Sequence, residues 1–273
     1  MAVIDLVKIQ LEKAIYRLKG ILYSSETNIN GNNEYCIGIT TFVKRYNIFY
    51  KNLIKLIIFI FPDKKIIVAV NGDLDVKKQE RYLKKIKEFN DKFENVISIF
   101  YKEPQSLSKL WNQIILKANA KRVLILNDDL AITPEFRKNF ENCGILNENL
   151  AMINNSFSHF IISKKIIRDV GWFDERFKEI GGEDDDFCVR ACIKGYSLPK
   201  SYTLSGIKNF SYKHSNNSYG VDMDEVRYSN LNNIFLNEKW EIKDNYFEGS
   251  VYGRSCKYWK LKKGMETHEY YGI

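Results

Sequence analysis

The stretch RVLILNDDLAITP, residues 122–134, decides the fold. It opens as an unbroken apolar run and ends abruptly on Asn127, Asp128 and Asp129. A strand buried on both faces reads as continuous hydrophobics, and its polar tip marks where it emerges from the core. The same design recurs upstream. EYCIGITTF (34–42) ends on Thr40 and Thr41, KIIVAVNGD (65–73) on Asn71 and Asp73, and NVISIFY (95–101) forms a third run. Helical patterns separate them, over about 46–60, 76–89 and 106–120. The last places Leu107, Leu110, Trp111 and Ile114 on one face. Strands alternating with helices of this length predict an α/β fold: a mostly parallel sheet with helices on both faces. In such sheets the ligand crevice lies outside the carboxyl ends of the strands, where these polar tips stand.

The bulk numbers agree. The 273 residues are 45% apolar and 28% charged, enough for one large α/β domain with appendages. A net charge of +8 favours anionic partners. Nucleic acid is not expected among them, because no zinc-finger spacing, RNP-like aromatic motif or recognition-helix pattern stands out. The five cysteines are odd in number and form no CxxC pair, which fits free thiols in a reducing cytoplasm. Asp5 and Lys8 interrupt the early apolar run, so no signal peptide is expected. LIIFIF, residues 56–61, is far too short to span a bilayer.

Three segments follow from the composition. Residues 1–33 hold an amphipathic helix over 3–22 and a polar connector. The helix carries a heptad-like stripe of Ile4, Val7, Leu11, Ala14, Leu18 and Ile21. That stripe fits packing on its own domain, the seam of a homodimer, or a membrane surface. Residues 34–240 form the main domain. Residues 241–273 form a C-terminal extension, in which RSCKYWKLKK (254–263) interleaves basic residues with Tyr258 and Trp259. Such a stretch suits either a solvated tail or peripheral contact with an anionic membrane surface.

Two acidic groups invite chemistry. The carboxylates of NDD at a crevice rim suit a hard divalent cation, Mg2+ or Mn2+, though a polar strand end before a helix at Pro134 would look the same. The second group is GGEDDDFCVRACIKGY, residues 181–196, with Glu183 to Asp186 in one row behind paired glycines. Acids are favoured in the first turn of a helix, and Asp186 can pair with Arg190 one turn on. Helix capping accounts for Asp185 and Asp186. Gly181 and Gly182 allow close backbone approach, which would present Glu183 and Asp184 to a ligand. Of three histidines, His159 reads as structural, His268 is uninformative, and His214 lies in a polar loop.

In this order, NDD, then GWFDERFKEIGGEDDDFCVRACIKGY, then a downstream His, the chain resembles GT-A-fold glycosyltransferases. It is similar to glycosyltransferase family 2 over about residues 35–216, and GGEDDD resembles the β-1,4-galactosyltransferases. The resemblance implies a Rossmann-like GT-A sheet and a metal-dependent, inverting, hexosyltransferase-type enzyme. Its donor would be a nucleotide sugar, most simply a UDP-sugar. Its acceptor would be a hydroxyl of a glycan or lipid-linked glycan, in surface polysaccharide synthesis. NDD matches the DxD motif, with Asp129 a metal ligand and Asp128 near the donor ribose or a metal-bound water. Asn127 departs from the usual aspartate. His214 matches the histidine that completes the metal site, Asp184 the catalytic base, and Glu183 its acidic neighbour at the acceptor or sugar. Trp172 and Gly182 would adjoin the acceptor. Thr40, Thr41 and Asn112 would line the donor site, and Asn71 or Asp73 would replace the aspartate that relatives carry at Val70. A sugar-phosphate nucleotidyltransferase would want a glycine-rich phosphate loop, which TTFVKRYN (40–47) lacks. A non-catalytic sugar-nucleotide or glycan-binding module is the remaining alternative.

Overall fold

The computed structural model describes residues 34–42, 45, 50–73, 76–178, 180–209, 230–242 and 259–272. The expected helix over 3–22, its connector, His214 and residues 243–258 lie outside them.

Seven strands form the central sheet. They are β1 (Tyr35–Phe42), β2 (Ile66–Asn71), β3 (Val96–Phe100), β4 (Arg122–Asn127), β6 (Leu150–Ile153), β7 (Ser156–Ser163) and β8 (Lys200–Tyr202), in the order β3-β2-β1-β4-β7-β6-β8. The short β5 (Leu130–Ile132) lies outside it, paired antiparallel with β9 (Ile207–Asn209). β1 pairs in parallel with both β2 and β4, and β2 with β3. The mostly parallel α/β sheet expected from the sequence is therefore present. β7 departs from it, running antiparallel between β4 and β6. The β6–β7 turn is Asn154-Asn155, with φ of 53° and 56°. Two left-handed residues give a hairpin turn whose twist matches the strands, and asparagine tolerates that region best after glycine.

Helices cover both faces. On one side α1 (Lys51–Ile60), α2 (Val76–Asn90) and α4 (Pro134–Asn142) bury Leu53, Ile57, Ile86, Phe136 and Phe140 against Ile37, Ile39, Val68 and Leu126. On the other, α3 (Leu107–Lys117), α5 (Lys164–Val170) and α6 (Glu183–Ile193) bury Trp111, Ile114, Ile166 and Phe187 against Ala69, Ile125 and Phe160. Each such aliphatic or aromatic side chain contributes about 1.5–3 kcal/mol. Local signals set the helix starts. Ser106 accepts from Lys109 N at α3, Ser163 accepts from Ile166 N at α5, and Pro134 opens α4.

The chain closes with α7 (Asn230–Lys239) and a hairpin of β10 (Trp240–Ile242) and β11 (Trp259–Leu261). Trp259, Leu261, Tyr270 and Tyr271 pack against the main body. Trp259 stands edge-on to Trp240, with ring centroids 6.0 Å apart. Cys36, Cys143, Cys188 and Cys192 are free thiols. Among the described residues no helix is long and apolar enough to cross a membrane.

β1 meets α3 at Gly38, where an added Cβ would lie 2.4 Å from Ile114 Cγ2 and 2.8 Å from Ile125 Cδ1. The Gly38→Ala variant is expected to lose about 1–3 kcal/mol by overpacking, read as a lower urea midpoint. An unchanged midpoint would show that this layer has slack.

Candidate active site

The strand order reverses its winding between β1 and β4, the place where open α/β sheets hold a ligand crevice at the carboxyl ends of the strands. Thr40 is opposite Asn127 in register. Alternation along the pleat then places Thr41 and Asp128, one residue on, upon the same face. Thr41 Oγ1 donates to Asp128 Oδ2 at 2.6 Å. Arg45 Nη1 donates to Asp128 Oδ1 at 2.8 Å and to Asp129 Oδ2 at 3.1 Å. Asp129 is 1% exposed, and its Oδ1 is buried without a hydrogen-bond partner among the described residues. Burial raises the Asp128 carboxyl above the usual range; Arg45 opposes that, Asp129 adds to it, and the Thr41 hydrogen bond lowers it. His159, on β7, is buried with Nδ1 unpartnered. Burial holds its pKa down at about 4, against the pull of Asp129. His159 is thus neutral at pH 7, as a structural histidine should be.

Several of the expected ligand residues are engaged in the fold itself. Asn71 spends most of its amide on the backbone: Nδ2 donates to Gln105 O, and Oδ1 accepts from Gly72 N and Gln105 N. It clamps the loop after β3, with its oxygen doubly occupied and one of its two N–H donors engaged. Asn112 is fully buried, donating to Phe173 O at 2.9 Å and Glu175 Oε1 at 3.0 Å and accepting from Phe173 N at 3.1 Å. Trp172 is 2% exposed and its Nε1 donates to Tyr271 O at 2.6 Å, so it packs within the fold in this structure. These three position loops. Thr40 is buried at the end of β1, while Asn127 and Asp73 are half-buried at the rim.

The loop 171–182 delivers the acidic helix α6. Gly181 and Gly182 have φ of 115° and 84°, a region that favours glycine. A Cβ on Gly182 would also come 3.1 Å from the Phe177 ring. Asn232 pins this turn, accepting from Lys178 N at 2.7 Å and donating to Gly181 O at 2.8 Å. The four acids then divide. Asp184 and Asp185 are half-buried at the first turn. Glu183 is 2% exposed, and its Oε2 accepts from Gly181 N at 2.6 Å. Burial, then the charge of Asp184, push the Glu183 carboxyl up to about 8, against its backbone hydrogen bonds.

Asp186 does more than serve its helix. It accepts from Arg190 Nε at 2.9 Å, the pairing expected one turn apart, and also from Trp240 Nε1 at 2.9 Å. Lys239 Nζ, on a fully buried side chain, lies 2.7 Å from Asp186 Oδ1 and 2.6 Å from Asp174 Oδ2. Asp174 further accepts from Arg176 Nη2 at 2.7 Å and Tyr270 OH at 2.9 Å. Burial alone would raise the Asp174 carboxyl, but the Arg176 hydrogen bonds and the Lys239 charge outweigh it and hold it well below the usual range.

The described structure therefore gathers two sets of functional candidates. Thr41, Asp128 and Asp129 meet around Arg45, while Gly182, Glu183 and Asp184 share one helix start. Arg45, Asn232 and Lys239 escaped the sequence reading. Only Arg45 carried a local signal, a cation just past a strand tip in a chain with an acidic strand tip elsewhere. Among the described residues no group of three or more His, Cys, Asp or Glu is placed to hold a metal ion.

No family model matches the chain, and no curated protein matches it. Among solved structures it is similar to S. aureus TarS. TarS 1–349 in complex with UDP aligns at TM-score 0.45 and 14% identity, covering 63% of this chain and 61% of that one. TarS 1–349 in complex with UDP-GlcNAc aligns at TM-score 0.44 and 12% identity, covering 74% of this chain and 70% of that one. Another TarS structure aligns at TM-score 0.46 and 15% identity, covering 63% of this chain and 35% of that one. Similarity at this level identifies no shared site.

Two measurements test this geometry. Lys239→Met leaves Asp174 and Asp186 with no ammonium between them and is expected to cost about 3–5 kcal/mol in urea unfolding. A loss below about 1 kcal/mol would mean that Arg176 and Arg190 suffice, since that is the range of exposed pairs. Glu183 gives a pH signature. Its folded pKa of about 8 exceeds that of the unfolded chain, so the folded state holds the proton longer. Stability should fall as pH rises from about 4.5 to 8 and level off above. Glu183→Gln cannot ionise, so its stability relative to wild type should improve between pH 5 and pH 9. A constant difference would refute the buried protonated carboxyl.

Proposed function

We propose that this chain is a glycosyltransferase that moves a sugar from a nucleotide sugar, in the first instance a UDP-sugar, to a hydroxyl of a glycan or lipid-linked acceptor. The observation that carries the reading is the buried Asp128–Asp129 pair at the crevice between β1 and β4, with one oxygen of Asp129 unpartnered. Two buried carboxylates repel, and such a pair persists where a cation compensates it.

The donor set fits Mg2+ or Mn2+. It is all oxygen, and the unpartnered Asp129 Oδ1 is the kind of atom that a hard cation satisfies. Asp128 and Asp129 are the residues that would hold it. A bound divalent cation supplies charge neutralisation for a departing diphosphate. The rest falls to this chain's own groups. Asp184, half-buried at the first turn of α6, takes the proton of the attacking hydroxyl as general base. A single base on one side of the sugar gives attack opposite the leaving group and inversion at the anomeric carbon. Glu183 is fixed by Gly181 N–H, and burial raises its carboxyl toward the protonated form, which would let it donate a hydrogen bond beside Asp184.

The test is UDP release from a panel of UDP-sugars, in Mn2+ and in EDTA, with wild type and Asp184→Asn. Release from one donor is expected in Mn2+ alone. The variant should fall by about 100-fold or more, the scale of a lost general base. Release that persists in Asp184→Asn would remove that residue from the mechanism. No release from any donor, with no thermal stabilisation by UDP and Mn2+, would overturn the UDP-sugar reading.

A further inference from the structure

We propose that Arg45 is the resting counter-ion of the Asp128–Asp129 pair and competes with a divalent cation for these carboxylates. This inference rests on the reading of that pair as a cation site. One guanidinium nitrogen is shared by both acids, 2.8 Å from Asp128 Oδ1 and 3.1 Å from Asp129 Oδ2. A cation held by this pair, with the unpartnered Asp129 Oδ1 among its ligands, would share the two carboxylates with the guanidinium. The pair carries two negative charges when ionised, and the arginine returns one. Arg45 is itself buried, and its guanidinium lies 4.8 Å from the Phe42 ring centroid, so its charge is poorly screened by water. A divalent ion entering beside it would meet a like charge at close range in a low-dielectric site. Cation and guanidinium therefore exclude one another.

The consequence is an ordering device. Without an anion to receive it, Arg45 keeps its carboxylates and holds metal affinity down. An anionic diphosphate arriving with the cation offers the guanidinium another partner and removes the competition. Metal and nucleotide then bind with positive coupling, and by linkage each strengthens the other equally.

The experiment is a titration of Mn2+ into the full chain, followed by the electron paramagnetic resonance signal of free Mn2+, with no donor sugar and no turnover. Arg45→Gln keeps polar donors of similar reach and removes the charge; Arg45→Met removes both. Without nucleotide, either variant is expected to bind Mn2+ at least about tenfold more tightly than wild type, within the usual range of coupling between sites. Added UDP should tighten Mn2+ binding more in wild type than in Arg45→Gln. Thermal melts give a second reading. Both variants should melt below wild type in EDTA and gain more than wild type from Mn2+.

Mn2+ binding in wild type with no gain in either variant overturns the role of Arg45 and leaves the cation site standing. No Mn2+ binding in any of the three proteins, with or without UDP, overturns both. A variant that stays unfolded in saturating Mn2+ also overturns the proposal, because the cation would then be unable to replace the guanidinium.

Discussion

The ammonium of Lys239 touches two carboxylates from different parts of the chain, Asp174 at 2.6 Å and Asp186 at 2.7 Å, with none of its side chain exposed. Much of the acidic half of the molecule depends on that placement. Asp174 belongs to the loop that leads into α6, Asp186 lies on α6 itself, and Lys239 ends α7. The same ammonium donates to Thr267 Oγ1 at 2.7 Å, and Arg176 reaches the Glu266 carbonyl at 2.8 Å. The C-terminal segment therefore does not trail from the domain. Its residues 265–271 form the outer wall of the loop that carries the paired glycines.

Ion pairs this deep are weak sources of stability, because desolvating each charge cancels much of the attraction. They are directional, however. A carboxylate held by two or three donors fixes an angle as well as a distance. Asp186 accepts from Arg190 and Trp240 while facing Lys239, so the first turn of α6 has little freedom to rotate. Asp184 and Glu183 inherit that rigidity from Asp186, two and three residues along the helix. Precision at a site comes from supporting groups whose own rotamers are locked.

The sequence made the scaffold legible because buried parallel strands spell themselves as apolar runs with polar tips. RVLILNDD, KIIVAVNGD and EYCIGITTF each became a strand of the sheet, with their polar tips at its carboxyl edge. What stayed hidden was non-local. Asn71 and Asn112 look like ligands in sequence, because a polar amide beside an apolar run is equally suited to a ligand or a backbone. Only the approach of Gln105 and Phe173 settles that choice. Trp172 is similar: its carbonyl partner, Tyr271, lies 99 residues away. The Asp174–Lys239 pair spans 65 residues and leaves no local pattern. His214, on which the resemblance placed a metal contact, lies outside the described residues.

Charge accounting separates the two acidic centres without reference to any relative. Around Asp174 and Asp186 stand three cations, Arg176, Arg190 and Lys239, and further donors from Trp240 and Tyr270. That centre is closed: it has more positive charge than it needs. Among the described residues, the ion pairs around Asp128 and Asp129 come from Arg45, and one carboxylate oxygen has no hydrogen bond. With both acids ionised, that centre is short of positive charge by one among the described residues, and short of a donor. A buried carboxylate oxygen without a hydrogen-bond partner costs free energy. The deficit is understandable if a second cation belongs there during function. The same physics that makes Lys239 a fastener therefore makes Arg45 a placeholder: the first meets two acids in a centre with charge to spare, the second in a centre still short of it.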